Sequence, residues 1–231
     1  VDLNTALGEF YGLIGQNGAG NTTTIKTIVG LLRPDAGTVG IGEYDTWKNP
    51  TDVKARIGVL PEEFNLHERL TGAELLDFTA AMHGFTKQEA TTRRAELLSL
   101  LDLTSAGSKL ISDYSRGMRK KVALGAAIIH RPPDLFLDEP FEGVDAVSAR
   151  LIQHLLQQAA NSGTTIIFSS HEMHLVEKLC TRVGIMIEGR LTVEDTPHGL
   201  YERTGMTNIE DAFIAAVGGN INANSSWYTT S

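Results

Sequence analysis

The sequence predicts an α/β fold in which a mainly parallel sheet is covered by helices on both faces. Short apolar runs, typical of buried strands, alternate along much of the chain with segments of amphipathic helical periodicity. Between residues 71 and 130 nearly every signal is helical, which predicts a helical lobe inserted into that α/β core. Ligands of such open sheets lie at the carboxyl ends of the strands, so we expect the functional residues there.

Two strands, a helix and a hairpin are predicted before the lobe. The run EFYGLIG, residues 9–15, predicts a strand, and NTTTIKTIVGLL, residues 21–32, predicts a helix because its apolar residues recur at helical spacing. Turn-forming residues around short β-prone pieces predict a small hairpin within residues 33–45. The run IGVLP, residues 57–61, predicts a second buried strand that stops at its proline.

After the lobe, strands and helices alternate again. The predicted elements are a strand in DLFLDEP (134–140), a helix over residues 145–160, a strand in TTIIFSS (164–170), a helix from Glu172 and a strand in VGIMIEG (183–189). The last residues, 218–231, are polar and without periodicity, which predicts a disordered tail.

Composition narrows the classes of protein that fit. The 231 residues suffice for one large domain with an inserted lobe, and the net charge of −8 disfavours nucleic acid as a partner. The single cysteine excludes an internal disulfide and fits a reducing compartment. No apolar stretch approaches the roughly 20 residues needed to cross a bilayer. The chain starts at Val1 without a methionine, so we expect that a small β-rich N-terminal part is truncated.

A glycine-rich loop between the first strand and the first helix is the strongest chemical signal. GQNGAGNT, residues 15–22, fits the phosphate-binding pattern G-x-x-x-x-G-K-[ST] at every position except the lysine, which is Asn21. The glycines let backbone N–H groups turn inward around an anion, and Thr22 offers a hydroxyl of the kind that ligates Mg²⁺. A glycine-rich turn without a ligand is the alternative. The predicted nucleotide contacts are Gly15, Asn17, Gly18, Ala19, Gly20, Asn21, Thr22 and Thr23.

Two adjacent carboxylates, Asp138 and Glu139, end the strand in DLFLDEP. In phosphate-loop ATPases an aspartate at this place holds Mg²⁺, and the glutamate beside it aligns and deprotonates the attacking water. The alternative is that the pair only caps the following helix. The glycine-rich loop upstream favours the ATPase interpretation.

With these motifs in this order, the chain resembles the nucleotide-binding subunit of an ABC transporter over residues 1–217. YSRGM, residues 114–118, stands where the family carries its L-S-G-G-Q signature, and EPFEGVD, residues 139–145, resembles the turn after the catalytic glutamate. SSHE, residues 169–172, and LPEE, residues 60–63, stand at the places of the switch histidine and of the loop that normally offers a glutamine. The combination of LPE with YSRGM resembles the export-type (ABC-2) subset.

The resemblance implies a phosphate-loop NTPase core of the RecA-like type over residues 1–65 and 131–206, with a helical subdomain over residues 66–130. It also implies ATP and Mg²⁺ as cofactors. The implied catalytic residues are Glu139, His171 and Glu62, and the implied metal ligands are Thr22, Asp138 and Glu62. Nucleotide contacts from the signature and the following turn are implied for Ser115, Gly117 and Asp145.

A signature serine meets ATP held by the opposite subunit, so the resemblance implies a head-to-tail dimer, either a homodimer or a heterodimer with another ABC ATP-binding subunit. It implies a membrane-spanning permease subunit as the second partner, docked near the helical lobe and Glu62, and a peripheral location on the cytoplasmic face of the membrane. No nucleic-acid partner is expected, and the basic run RGMRKK, residues 116–121, is interpreted as the solvated face of a helix.

Asn21 is the departure that matters most. A lysine there would bring a positive charge to the β- and γ-phosphates, whereas asparagine is neutral and shorter. Two charges about 4 Å apart interact by roughly 4 kcal/mol at an effective dielectric near 20, and losing part of this in the transition state lowers the rate by about 100-fold or more. The sequence therefore predicts that nucleotide binding persists, weakened, while hydrolysis is impaired.

Other functions compete with a transport ATPase. The chain could be the nucleotide-binding, non-hydrolysing partner subunit of a heterodimeric ABC ATPase. Chromosome-type relatives are disfavoured because the segment between Glu62 and Ser115 is too short for long coiled coils, and ribosome-type relatives because only one such domain is present. A GTPase is disfavoured because the chain lacks an N-K-x-D element.

Overall fold

A computed structural model of the protein describes residues 1–63 and 66–218. Its strands are β1 (Phe10–Gly15), β2 (Gly40–Ile41), β3 (Tyr44–Asp45), β4 (Ile57–Leu60), β5 (Asp134–Asp138), β6 (Thr165–Ser169), β7 (Arg182–Ile187) and β8 (Arg190–Asp195). Its α-helices are α1 (Asn21–Ile28), α2 (Pro50–Arg56), α3 (Gly72–Met82), α4 (Lys87–Leu100), α5 (Arg116–Ile128), α6 (Ala146–Asn161), α7 (Met173–Leu179), α8 (Pro197–Thr204) and α9 (Ile209–Ala216). Two 3₁₀ turns, Thr104–Ala106 and Ile111–Asp113, precede α5.

The main sheet has six strands in the order β4-β5-β6-β1-β7-β8. Neighbours from β4 to β7 pair in parallel, and β8 pairs antiparallel with β7 at the edge. The predicted mainly parallel α/β fold is therefore confirmed. The predicted hairpin is the separate antiparallel pair of β2 and β3.

The sheet is buried on both faces because its strands alternate between two apolar clusters. Along β1, Phe10 and Ile14 belong to a cluster that α5, α6 and α7 also enter, and Tyr11 and Leu13 belong to one that includes Ile25 of α1. All four of these β1 side chains are at most 1% exposed. Burial of such side chains on both faces stabilises a central strand by about 2 kcal/mol for each of them.

The helical segment has a core of its own. Leu76, Leu101 and Val122, which come from α3, the end of α4 and α5, are fully buried in one cluster. Both α3 and α4 begin with reciprocal capping boxes, in which a threonine and the glutamate three residues later bond each other's backbone amides. We propose that this helical subdomain spans residues 66–130 and that the α/β core around it spans residues 1–65 and 131–206.

Some boundaries and elements differ from the sequence prediction. Helix α1 ends at Ile28 and not at Leu32, because Gly30 adopts a φ of 77° and the amides of Leu31 and Leu32 both donate to the carbonyl of Lys26. The edge strand β8 and helices α2, α8 and α9 are additions to the predicted elements. The predicted tail, apart from Gly218, lies outside the described residues. No helix in the described part of the chain combines the length and apolarity that a bilayer crossing needs.

Candidate functional site

Most of the predicted site residues gather at a cleft of about 870 Å³. The cleft lies at the carboxyl ends of four neighbouring strands, β4, β5, β6 and β1. It is lined by residues 15–23 and by Glu62, Asp138, Glu139, Glu142, Ser169, His171, Met173 and Phe213. A second groove, of about 670 Å³, is lined mainly by α4, α6 and the residues before β5 and β6, and contains none of the predicted site residues.

The glycine-rich loop between β1 and α1 is held in a shape that depends on glycine. Gly18 and Gly20 have φ values of 82° and 108°, in the left-handed region that side chains disfavour. A Cβ on Gly15 would lie 2.6 Å from the Cβ of Ala19 and 2.9 Å from the carbonyl oxygen of Met186, so no side chain fits there. Gly20 is the N-cap of α1 and has no side-chain cap bond, which leaves the first-turn amides available to an anion.

Asp138 is the centre of a hydroxyl network beneath the loop. Its Oδ1 accepts hydrogen bonds from Ser169 Oγ at 2.6 Å and from Thr22 Oγ1 at 3.1 Å. Its Oδ2 is buried and lacks a hydrogen-bond partner within the described chain, although the residue is only 1% exposed. Glu62 reaches the same place, with Oε2 3.5 Å from Thr22 Oγ1. A buried carboxylate oxygen without a partner beside a hydroxyl and a second carboxylate is the donor set that Mg²⁺ prefers, so these residues fit the ion.

Glu139 is fixed through both of its peptide groups. Its φ of 47° is in the left-handed region, its N–H donates to Ser169 Oγ at 3.0 Å, and its carbonyl accepts from Lys120 Nζ at 2.6 Å. The side chain reaches into the cleft and its Oε1 lies 3.1 Å from Nδ1 of His171. Neither Asp138 nor Glu139 caps α6, because that cap is Asp145.

The two members of the Glu139–His171 pair shift each other's pKa. Burial raises the pKa of Glu139, and the hydrogen bond and charge of His171 oppose this rise. The hydrogen bond with Glu139 raises the pKa of His171, against a smaller lowering by desolvation. The contact favours a carboxylate next to an imidazolium, while burial leaves the net pKa of Glu139 above its usual value.

The cleft is acidic. Four carboxylates line it, from Glu62, Asp138, Glu139 and Glu142, and none of its described lining residues is a lysine or arginine. At the position of the pattern's lysine, Asn21 Oδ1 is buried with no hydrogen-bond partner among the described residues. This oxygen lies 3.3 Å from the point that a Gly15 Cβ would occupy, so it faces the base of the loop.

The predicted contacts from the signature region lie outside this cleft. Ser115 is the N-cap of α5 and accepts from Met118 N–H at 3.2 Å. Asp145 is the N-cap of α6, with its Oδ1 accepting from the amides of Val147 and Ser148, and its Oδ2 lies 3.3 Å from the point that a Gly117 Cβ would occupy. The three predicted residues Ser115, Gly117 and Asp145 thus form a second location on the chain.

Sequence reasoning missed three residues of the site. Ser169 joins Asp138 to the backbone of Glu139, Glu142 adds a carboxylate to the cleft, and Lys120 bonds the Glu139 carbonyl. The interpretation of residues 116–121 as a solvated face was wrong for both lysines of the run, because Lys120 and Lys121 are 1% and 6% exposed. Ser169 could have been found, since it ends the predicted strand in TTIIFSS, at the carboxyl end where functional residues are expected.

Comparisons with known proteins agree with this geometry. The model of the ABC transporter family matches residues 1–142. Linearmycin resistance ATP-binding protein LnrL of Bacillus subtilis (strain 168) is 37% identical over 225 residues, which cover 94% of this chain and 72% of that protein. ABC transporter ATP-binding protein NatA of the same organism is 34% identical, with 93% and 88% covered. A solved ATP-binding subunit of an ABC transporter superimposes with a TM-score of 0.86 at 29% identity, over 91% of this chain and 89% of that one.

Proposed function

The chain belongs to the ABC transporter family, as an ATP-binding subunit of the export-type subset, and from this premise we propose that it binds MgATP yet hydrolyses it slowly because of Asn21. ATP binding by this subunit drives movement in a separate membrane-spanning permease subunit, which carries the substrate. The subunit works as a peripheral protein on the cytoplasmic face of the membrane.

The observation that carries the proposal is the charge of the cleft. Four carboxylates face the space next to the glycine-rich loop, and the described lining includes neither lysine nor arginine. Backbone amides of the loop and the N-terminus of α1 remain as groups that attract phosphate. These groups suffice for binding. They cannot stabilise the charge that develops on the transferred phosphoryl group in the way that a lysine ammonium does.

The residues that bind Mg²⁺ in this proposal are Thr22, Asp138 and Glu62. The ion, when bound, neutralises phosphate charge. Ser169 holds Asp138 in place through the 2.6 Å hydrogen bond to Oδ1. Because this bond does not use Oδ2, that oxygen is available to bind a cation. The same serine hydroxyl accepts from the amide of Glu139, so one side chain aligns both carboxylates.

Glu139 acts as the general base toward the attacking water, and His171 orients it. The 3.1 Å contact between His171 Nδ1 and Glu139 Oε1 favours the ionised carboxylate that a base requires. The arrangement needed for proton removal is therefore retained in the chain. Asn21 instead weakens the stabilisation of charge on the phosphates, and this lowers the rate of hydrolysis by about 100-fold or more.

Ser115, Gly117 and Asp145 serve the opposite subunit in a head-to-tail dimer. Their separation from the chain's own cleft supports this role, because a surface that completed its own site would have to line it. A homodimer contains two impaired sites, whereas a heterodimer with another ABC ATP-binding subunit contains a partner site that this chain completes.

The test compares the chain with its Asn21→Lys variant and with Asn21→Gln, a longer but neutral control. Binding of a fluorescent ATP analogue with Mg²⁺ and steady-state phosphate release are measured for all three. We expect all three to bind and Asn21→Lys to hydrolyse at a rate about 100-fold above that of the other two. Absence of binding in all three would overturn the proposed function. Binding by Asn21→Lys without hydrolysis would favour the non-hydrolysing partner subunit.

A further inference from the structure

Helix α5, which begins at the signature residues, is attached to the turn that contains Glu139. We propose that Lys120 is a positioning residue for Glu139, and that it links the position of the signature helix to the geometry of the chain's own catalytic base. The inference rests on the proposed function, in which Glu139 is the base and Ser115 serves the opposite subunit. We call residues 139–143 the Glu139 turn.

Lys120 is buried and donates hydrogen bonds to the backbone of this turn. The residue is 1% exposed, and its Nζ lies 2.6 Å from the carbonyl oxygen of Glu139 and 3.4 Å from that of Glu142. Burial lowers the pKa of Lys120, while the charges of Glu142, Glu139 and Glu62 raise it. A charged donor to a carbonyl makes a stronger hydrogen bond than a neutral one, especially when it is shielded from water.

Glu139 needs such support because its backbone is strained. Its φ of 47° is unfavourable for a residue with a side chain, so surrounding contacts must hold it. Ser169 Oγ accepts from the N–H of Glu139 and Lys120 donates to its carbonyl, so both flanking peptide groups are tied. The orientation of the carboxylate toward His171 follows from that backbone conformation.

Arg116 adds a second contact on the same face of α5. It lies four residues before Lys120, so the two side chains are neighbours on the helix surface. Its guanidinium nitrogen is 3.2 Å from Glu142 Oε1, and its Nε is 2.4 Å from the point that a Cβ on Gly143 would occupy. Gly143 has a φ of 68°, so glycine is favoured there for its backbone as well as for the space.

These contacts connect two locations that serve different nucleotides in the proposed dimer. Ser115 caps the first turn of α5, and Lys120 lies little more than one turn further along the same helix. Because a helix moves as a unit over this distance, a displacement of the signature on meeting the opposite nucleotide shifts Lys120 and with it the Glu139 turn. Glu139 thereby responds to dimer closure through contacts within its own chain.

The chain offers a matched control in the next residue. Lys121 is also buried, at 6% exposed, and its Nζ lies 3.5 Å from the carbonyl oxygen of Asp102, away from the Glu139 turn. Lys120→Met and Lys121→Met each remove one buried ammonium from α5 and replace it with an apolar chain of similar length. Lys120→Gln retains an N–H donor and serves as the rescue variant.

The first measurement is amide hydrogen exchange, followed by mass spectrometry of peptides spanning residues 134–144. It uses the chain with Asn21 unsubstituted. We expect exchange in the Glu139 turn to be about tenfold faster in Lys120→Met than in the unsubstituted chain and unchanged there in Lys121→Met. Equal protection of the turn in Lys120→Met and the unsubstituted chain would overturn the proposal, as would an equal loss in both methionine variants.

The second measurement places the same substitutions in the Asn21→Lys chain and separates kcat from KM. We expect Lys120→Met to lower kcat by about tenfold with KM for MgATP within about twofold, Lys120→Gln to recover most of the loss, and Lys121→Met to change neither. A normal kcat in Lys120→Met would contradict the inference. If the Asn21→Lys chain fails to bind nucleotide, the proposed function fails, and hydrogen exchange alone decides whether Lys120 holds the turn.

Discussion

Nδ1 of His171 lies 3.1 Å from Oε1 of Glu139. The imidazole comes from the loop after β6 and the carboxylate from the end of β5, so the pair depends on the neighbouring placement of those two parallel strands. Burial alone would keep Glu139 protonated to a higher pH than an ordinary glutamate, and His171 counters this by favouring the ionised form. The histidine thus helps to set the protonation state of the proposed base.

Glu139→Gln in the Asn21→Lys chain tests the role of that base. We expect phosphate release to fall by about 100-fold or more, because glutamine cannot accept the proton of the attacking water. MgATP affinity should be retained or rise, since one of the four carboxylates facing the phosphates is neutralised. The measurements are phosphate release and binding of a fluorescent ATP analogue. Hydrolysis by Glu139→Gln at a rate close to that of its parent would assign the base to another group.

The dependence of binding on Mg²⁺ is expected to be unusually strong in this chain. Without a lysine in the described lining, the bound cation, the His171 imidazolium and backbone amides must offset the repulsion between phosphates and carboxylates. Removing Mg²⁺ with a chelator should weaken ATP binding by about 30-fold or more here and by a smaller factor in Asn21→Lys. Isothermal titration calorimetry of both chains with and without chelator measures the two ratios, and equal ratios would contradict the expectation.

Substitution of two loop glycines separates crowding from backbone strain. A Cβ on Gly15 would meet Ala19 and the Met186 carbonyl at 2.6 and 2.9 Å, whereas a Cβ on Gly18 would meet nothing within 4 Å and would incur only the cost of its φ of 82°. We expect Gly15→Ala to abolish measurable MgATP binding and to lower the free energy of unfolding by about 1–3 kcal/mol. Gly18→Ala should cost about 1 kcal/mol and weaken binding less.

Urea unfolding and nucleotide binding of both alanine variants give the comparison. Full binding by Gly15→Ala would mean that the loop rearranges without loss, and the steric explanation would then be wrong.

Much of this fold is readable from the sequence because its central strands are buried on both sides. The runs around β1, β5, β6 and β7 are continuous and apolar, so they stand out from their surroundings. The edge strand β8 is only partly buried and carries charged residues at both ends, so it lacks the continuous apolar run that marks the central strands. The early end of α1 depends on the backbone of Gly30, which helical spacing alone does not reveal.

The site residues, too, were predicted where a local sequence motif marks them and were missed where only tertiary contacts place them. Thr22, Asp138 and Glu139 were predicted because each stands in a short motif whose chemistry is fixed by spacing. Ser169 and Lys120 were missed because their partners are distant in sequence: Ser169 bonds Asp138 across two strands, and Lys120 bonds a carbonyl 19 residues away. A basic run on a helix is usually solvated, and only packing shows that both lysines of this one are buried.

The stacked histidines His83 and His130 make the protein sensitive to acid at a place remote from the cleft. Their rings lie 3.6 Å apart with an angle of 9° between planes, where the end of α3 meets the end of α5. Burial, aided by the neighbouring His83, lowers the pKa of His130 to about 4, and burial also lowers the pKa of His83. Nε2 of the neutral His130 ring donates to the carbonyl of Ile57 at 3.1 Å, and Nδ1 is buried with no hydrogen-bond partner in the described part of the chain.

The sign of the resulting pH dependence follows from proton binding. The unfolded histidine titrates at a pH of about 6.5 and the folded His130 at about 4. Between these values the unfolded chain binds a proton at His130 and the folded chain does not, so the free energy of unfolding falls as the pH falls. We expect a loss of about 1–2 kcal/mol from this residue between pH 7 and pH 5, allowing for its partial exposure. His130→Phe, which can retain the ring stack, should be less stable at pH 7 for want of the Ile57 hydrogen bond but should lose less on acidification. Urea unfolding at both pH values is the measurement, with His154→Gln on the exposed side of α6 as the control for removal of a histidine. An identical loss in His130→Phe and the unsubstituted chain would show that other groups carry the acid sensitivity.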